Sequence, residues 1–463
     1  MDLKKRKLSA AIINLGCKVN KYEADAMKDK LILAGIAVVE PEDVADIYIV
    51  NTCSVTNMAQ KKSRQMLRRA KKWNPEAIIV AAGCYVNAEH DALKDEDFID
   101  IVVSNNCKKD IVEVIREYMD EHHQSDFYVD INQTKEYEEM GSLEASHLDH
   151  QRAYIKIQDG CNQFCSYCII PYTRGRVRSR KPENILKEIT KLAKAGVKEF
   201  VLTGIHISSY GLDFSGANVE YDDSIEKMCN LGDLVEAIAA IPEVKRIRLG
   251  SLEPRIITEE FLKKISKSDK MCPHFHLSLQ SACNATLKRM NRKYTIEEFE
   301  EKCEMLRKYF DKPALTTDVI VGFPGETEEE FEETVGNLKR IGLYEIHVFK
   351  YSVRAGTVAE RMPDQISEEI KNQRSDVLLE LTKLQKAEYE KDIEDIIEEA
   401  LIEKEVEKEF FEKNTDVKEV YGINVEADKK KKIRYFTGHT KRYVNIKIKA
   451  DIDIVNNIVQ CRL

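Results

Sequence analysis

Short apolar runs alternate with helical patterns along most of this chain, and that alternation leaves few folds open. Ala10–Leu15, Ile47–Val50 and Ala77–Ala82 are brief, apolar and bounded by turn residues, with helical spacing over Tyr22–Ala34 and Ala59–Lys72 between them. Strands of a parallel sheet covered on both faces read this way, because neither face carries a polar alternation. The alternation resumes at Ala153 and runs six times. Strands are expected at Ala153–Gln158, Glu199–Thr203, Arg246–Ser251, His274–Gln280, Leu315–Gly322 and Glu345–Tyr351, with helices over 183–195, 231–241, 259–267, 295–310 and 327–341. The pattern predicts an α/β chain: an open parallel sheet first, then six βα units. Residues 111–146 are acidic and weakly patterned and read as a linker ending near Gly141-Ser142. A long helix over 366–395 leads to a small β-rich module, with strands at Ile397–Glu407, Tyr421–Val425, Lys432–Phe436, Tyr443–Ile448 and Ile454–Arg462. The expected domains are 1–142, 143–385 and 386–463.

With 463 residues, 43% hydrophobic and 33% charged, the chain has the composition of a globular protein of several domains. Apolar runs such as Ala10–Leu15 and Ala77–Gly83 are far too short to span a bilayer. The basic start, Met1 to Lys7, leads into a strand and not into an apolar secretory segment, so a cytoplasmic protein with no membrane partner is expected. Twelve cysteines in that setting argue for metal or redox chemistry over disulfides. The net charge of −9 is segmental: residues 388–413 carry 12 acidic and 4 basic side chains, and the remainder is near neutral with distinct basic clusters.

The chemistry is announced by Gly160-Cys161-Asn162-Gln163-Phe164-Cys165-Ser166-Tyr167-Cys168. Three thiolates at spacing Cys-x3-Cys-x2-Cys can hold three irons of a [4Fe–4S] cube and leave the fourth open to a small chelating molecule. The alternatives are chance clustering in a cysteine-rich chain or a zinc knuckle; the knuckle would need a fourth Cys or His nearby, and none lies between Cys168 and His206. The spacing resembles the signature of radical S-adenosylmethionine (SAM) enzymes. That resemblance implies a partial (βα)6 barrel, SAM on the open iron, and chemistry at the carboxyl ends of the strands.

A second set stands earlier. Cys17, Cys53 and Cys84 each follow an apolar run, at spacings of 36 and 31 residues, about one βαβ unit each. Parallel strands bring residues past their carboxyl ends to one edge. The trio therefore reads as the ligands of a second three-thiolate cluster, or else as small buried residues. Cys107, Cys229, Cys272, Cys283, Cys303 and Cys461 follow no such pattern and are expected to be buried or incidental. Gly204, Ser251, Glu253, Gln280 and Gly322 end barrel strands and are expected to contact SAM, although a glycine there also serves a plain turn.

Over nearly the whole length these motifs resemble the tRNA methylthiotransferases: a three-cysteine amino-terminal domain, a radical SAM barrel, and a carboxy-terminal TRAM RNA-binding module. Asn14-Leu15-Gly16-Cys17-Lys18-Val19-Asn20, Asn51-Thr52-Cys53-Ser54-Val55-Thr56 and His347-Val348-Phe349-Lys350-Tyr351-Ser352 are similar to the subgroup that acts on N6-threonylcarbamoyladenosine beside the tRNA anticodon. The resemblance implies two [4Fe–4S] clusters, held by Cys161, Cys165 and Cys168 and by Cys17, Cys53 and Cys84. It implies that one SAM methylates a sulfur on the auxiliary cluster and a second yields a 5′-deoxyadenosyl radical that removes the hydrogen at C2 of the adenine. Sister substrates are N6-isopentenyladenosine in tRNA or an aspartate of a ribosomal protein. The rival from another class is a non-catalytic, metal-stabilised RNA-binding protein. The expected partners are a tRNA anticodon stem-loop, not DNA, and an electron donor such as a flavodoxin or ferredoxin.

Arg174, Arg176, Arg178 and Arg180 alternate at period two, which in an extended segment places all four on one side, suited to phosphates. Lys441 and Arg442, in Gly438-His439-Thr440-Lys441-Arg442-Tyr443, sit among aromatics with Lys429–Lys432 close in sequence, a mixture that suits nucleic acid. Lys61, Lys62, Arg64, Arg68 and Arg69 make a further basic helix face, either solvated or an RNA contact.

Overall fold

The computed structural model describes residues 8–121, 125–147, 151–214, 230–413, 417–422 and 433–463. The amino-terminal sheet contains β1 (Ser9–Asn14), β2 (Ala37–Val39), β3 (Ile47–Thr52), β4 (Ile78–Gly83), β5 (Ile101–Val103) and β6 (Ser125–Phe127). They lie in the order β2-β1-β3-β4-β5-β6, every pair parallel. Every residue of β3 and β4 is buried. Ile47 and Ile49 share a core with Tyr22 and Met27 of α1 (Lys18–Leu33), while Tyr48 and Val50 pack with Leu67 and Ala70 of α2 (Asn57–Trp73). The strand order reverses between β1 and β3, so the crevice at their carboxyl ends is where a ligand belongs in such a sheet.

The linker reading of 111–146 is corrected. Residues 111–121 form a helix that buries Ile111, Val112, Val114 and Ile115, and β6 then adds the last strand of the sheet. Strands of three residues such as β2, β5 and β6 are too short to show a period.

Six parallel strands follow: β7 (Arg152–Asp159), β9 (Glu199–Gly204), β10 (Arg246–Leu249), β11 (His274–Gln280), β12 (Ala314–Val321) and β13 (Glu345–Lys350), with the two-residue β8 (Arg178–Ser179) antiparallel on the free edge of β7. Two sheets, β10-β9-β7-β8 and β11-β12-β13, are joined by bridges from Ile247 to Met271 and from Leu252 to Leu277, giving one curved wall, a partial barrel. Its helices begin with reciprocal caps at Asn230/Asp233, Thr295/Glu298 and Thr327/Glu330, which satisfy otherwise orphaned backbone donors.

The helix Glu368–Asp392 runs on to a third sheet built from β14 (Ile397–Val406), β15 (Lys418–Glu419), β16 (Tyr421–Gly422), β17 (Arg434–Thr440), β18 (Asn445–Ala450) and β19 (Ile458–Arg462). Its order is β15-β18-β17-β14-β19-β16, antiparallel except for β15 with β18. Of the expected strand over 421–425, Tyr421 and Gly422 form β16; residues 423–425, Lys429–Lys432 and Cys229 lie outside the described residues.

No helix among the described residues is long and apolar enough to cross a membrane.

Candidate active site

The loop after β7 carries Cys161, Cys165 and Cys168. Gly160 opens it at φ +73°, and a Cβ there would lie 1.8 Å from the Arg176 carbonyl oxygen, so only glycine lets the loop fold back on that segment. The Cys161 amide donates to the Gly175 carbonyl at 3.0 Å, and the Ser166 amide to the Met290 carbonyl at 3.0 Å. Burial, then the neighbouring Cys165, pushes the Cys161 thiol up to about 12; burial, then Cys165 and Cys161, raises Cys168 further. All three cysteines stand half-buried around this loop. Arg292 reaches it, donating from Nη1 to Cys165 Sγ at 3.2 Å and from Nη2 to the Ser278 carbonyl at 2.9 Å.

The second trio lies where the strand order of the first sheet reverses. Cys17 caps the start of α1, and Cys53 and Cys84 stand one residue past β3 and β4. Burial pushes Cys53 up to about 11, with Cys84 and Cys17 also raising it. Arg174 donates from Nε to Cys84 Sγ at 3.2 Å, and Asn105 reaches the same sulfur at 3.7 Å while donating to the Thr173 carbonyl at 2.9 Å. Each trio thus has its own arginine.

Each trio is a set of three thiol donors, the donor chemistry of a cluster that leaves one iron open. A group of another kind, His276, Asp318 and His347, has ligand atoms all within 4.8 Å of one another.

A buried ion network joins the two. Glu23 of α1, 1% exposed, accepts from Lys108, Lys156 and Arg174, and Asp159 is paired with Lys156 at 2.6 Å and Arg174 at 3.2 Å. Burial pushes both carboxyls up, but Arg174, Lys108 and Lys156 outweigh it and hold Glu23 well below its ordinary range. Lys156, Arg174 and Arg178 bring Asp159 down to about 2.

This overturns the expectation of four arginines on one open side. Arg174, Arg178 and Arg180 are at most 1% exposed. Arg174 is bound to Glu23 and Asn20, Arg178 faces Asp159, and Arg180 pairs with Glu139 and Glu188. Carboxylates distant in sequence claim them, so they meet no phosphate in this arrangement. Arg176 alone of the four is exposed, with its guanidinium 4.4 Å from the Phe164 ring centroid.

Lys441 and Arg442 are likewise corrected. Lys441 donates to the Asp269 carbonyl at 2.9 Å, and Arg442 to the Lys312 carbonyl at 2.9 Å and Glu398 at 2.9 Å. The same loop receives Arg246 and Arg248 from β10, at the His439 and Lys441 carbonyls. Tyr443 lies under Arg248 and Arg152, 4.6 and 5.2 Å from its ring centroid, and 5.0 Å from the His274 ring. Arg152 and His274 begin β7 and β11, so the third sheet closes the amino-terminal end of the barrel.

Of the residues expected on SAM, Glu253 and Gln280 stand at the carboxyl end of the wall. Glu253 is 4% exposed and accepts from Arg255 at 2.8 Å, yet its Oε2 has no partner. A lone buried carboxylate oxygen suits a ligand's hydroxyl. Gln280 takes φ +76° at the end of β11, and Ser251 is exposed. Gly204 and Gly322 make room for protein instead. A Cβ on Gly204 would be 3.0 Å from Gln158 Oε1, and one on Gly322 2.3 Å from Lys371 Cγ. Sequence reading missed Arg292 and also His206, whose imidazole is kept neutral by burial, Arg292 and Arg255, down to about 3, and whose Nε2 has no partner. Neither lies in a recognisable spacing; His206 was legible only as a polar residue two places past a strand.

Comparison with known proteins matches residues 155–338 to the radical SAM superfamily and residues 9–104 to uncharacterized protein family UPF0004. The chain is 38% identical to the threonylcarbamoyladenosine tRNA methylthiotransferase MtaB of Bacillus subtilis (strain 168), over 98% of this chain and 93% of that protein. It is 38% identical to the MtaB of Aquifex aeolicus (strain VF5), over 82% and 90%. To the tRNA-2-methylthio-N(6)-dimethylallyladenosine synthase of Clostridium botulinum (strain Loch Maree / Type A3) it is 34% identical, over 84% of each. Among solved structures, the radical S-adenosylmethionine methyltransferase TsrM of Kitasatospora setae shares the fold, with a TM-score of 0.53 at 15% identity over 74% of this chain and 73% of that one.

Proposed function

The chain belongs to the tRNA methylthiotransferase family, and from that premise we propose that it converts N6-threonylcarbamoyladenosine beside the tRNA anticodon to its 2-methylthio derivative. The observation that carries this reading is Arg174, which follows the Cys161–Cys168 loop and touches Cys84 of the other trio, tying the two three-thiolate segments together. When bound, a [4Fe–4S] cluster and SAM at Cys161, Cys165 and Cys168 supply a 5′-deoxyadenosyl radical, and an auxiliary cluster at Cys17, Cys53 and Cys84 supplies sulfur. An aromatic C–H has no acidic proton for a side chain to remove, which is why a radical source is needed. The protein's own task is to aim the base and keep water out.

Arg292 and Arg174 each place a guanidinium on one cysteine sulfur, offsetting thiolate charge. Glu253 Oε2 and His206 Nε2 offer an acceptor and a neutral imidazole to the nucleoside end of SAM. Residues 1–142 hold the sulfur site, 143–385 the radical site and 386–463 close the barrel. We place the reaction in the cytoplasm, with a flavodoxin or ferredoxin as electron donor.

The tRNA contact moves from the buried arginines to α2, where Lys61, Lys62 and Arg69 are exposed, together with Arg176. Replacing Lys61, Lys62 and Arg69 by alanine is expected to weaken tRNA binding and to lower the slope of log affinity against log salt by roughly two. A slope that stays at the wild-type value would remove α2 from the interface.

The reading is tested with purified, anaerobically reconstituted enzyme and two tRNAs, one bearing the threonylcarbamoyl and one the isopentenyl base. A methylthio product on the first supports it; a product on the second alone overturns the substrate.

A further inference from the structure

The inner face of the barrel carries a polar cluster that neither cysteine trio uses. On β11 Phe275, Leu277 and Leu279 pack outward in the core, which turns His276 inward; on β12 Leu315, Val319 and Val321 do the same for Asp318, and on β13 Ile346 for His347. Asp318 and His347 are register partners, and His276 pairs with Thr316 two residues before Asp318. His276 Nε2 lies 3.2 Å from Asp318 Oδ2, its Nδ1 is 2.9 Å from Thr316 Oγ1, and its ring stacks on His347 with centroids 5.6 Å apart. His347 is exposed to the hollow, and the exposed ring of Phe349 follows it on the same face.

A cation from the other domain enters the same space. Lys18, next to Cys17, forms no hydrogen bond or salt bridge among the described residues, and its ammonium lies in the field of Arg152, Arg248, Asp318 and Glu199. Three ligating side chains within 4.8 Å could hold a divalent ion. Arg152 and Arg248 are engaged by Glu403 and Glu199, at 3.5 and 2.8 Å, and the charge of Lys18, which has no such partner among the described residues, favours an anion instead. A carboxylate that leaves bulk water for this hollow needs a cation and hydrogen-bond donors.

We infer that Lys18, His276, Asp318 and His347 form the subsite that reads the threonyl group of the substrate base. Lys18 and His347 meet its carboxylate, and Asp318, beside His276, accepts from its hydroxyl. Phe349 lies one step along β13, where the flat base would sit. The inference rests on the threonylcarbamoyl reading above and adds the residues that make the choice. An isopentenyl group offers neither charge nor hydroxyl and would leave these groups unpaired, and sites built to bond a polar group reject analogues that lack it.

The test uses reconstituted holoenzyme and anticodon stem-loops carrying either the natural base or one in which the threonyl carboxylate is replaced by a carboxamide. Wild-type enzyme should favour the acid by about 100-fold in kcat/KM for methylthiolation. Lys18→Met and His347→Gln, one in each domain, should each bring that ratio to within about threefold by losing rate on the acid and not on the amide. Variants that keep the wild-type ratio, or lose equally on both substrates, would overturn the subsite. So would a wild-type enzyme indifferent to the carboxylate, or a stoichiometric non-cluster metal that His276→Ala removes. An enzyme that thiolates only an isopentenyl stem-loop would instead overturn the substrate reading, and it is seen in the wild-type arm before any variant is made.

Discussion

A Glu23→Gln variant is expected to lose about 3–5 kcal/mol of stability, the usual cost of removing one partner from a buried ion network. Glu23 of α1 serves Lys108 from its own domain with Lys156 and Arg174 from the barrel. Without its charge, Lys108 loses its ion pair, while Lys156 and Arg174 keep only the one to Asp159. Arg174 then loses the anchor that holds its Nε on Cys84. The urea midpoint should fall, and iron retained by the amino-terminal trio should fall with it. The sign of the pH effect follows from the same groups. Glu23 and Asp159 are held below their ordinary values, so their stabilisation is complete above the unfolded carboxylate pKa of about 4.3. It is lost as pH drops through the folded value, about 2 for Asp159. A midpoint that does not move in Glu23→Gln would mean the domains are tied elsewhere.

The second large effect separates the two trios. Cys161→Ala should abolish SAM cleavage and methylthiolation together, whereas Cys53→Ala should keep 5′-deoxyadenosine formation and yield no methylthio product. The trios lie on different sheets, and each has its own arginine, Arg292 at Cys165 and Arg174 at Cys84. Removing Cys53 leaves the ligands and contacts of the other loop in place. Equal loss of both products in Cys53→Ala would show that the amino-terminal set is needed for folding, since metal binding and folding are coupled.

Much of the fold was legible because fully covered parallel strands leave a plain mark, short apolar runs, and β3, β4 and β11 appear within two residues of where those runs end. The cysteines were legible for a related reason: a residue just past such a run must come to the carboxyl edge. What escaped was pairing across distance. Arg174 looks like one of four alternating cations, and nothing local tells that Glu23, 151 residues earlier, claims it. The loop at Lys441 and Arg442 looked like an RNA contact because its composition is the same whether it faces phosphate or, as here, carbonyl groups at the foot of the barrel. Helix 111–121 was hidden by its acidic residues, although Ile111, Val112, Val114 and Ile115 trace one buried face. The threonyl subsite assembles His276, Asp318 and His347 from three strands and Lys18 from another domain, an association that no spacing encodes.

The measurement that bears most directly on the central claim is mass spectrometry of tRNA nucleosides from cells with and without this gene. When the gene is absent, 2-methylthio-N6-threonylcarbamoyladenosine is expected to disappear and its unthiolated precursor to accumulate, with isopentenyl-derived nucleosides unchanged. An unaltered threonylcarbamoyl profile would contradict the claim.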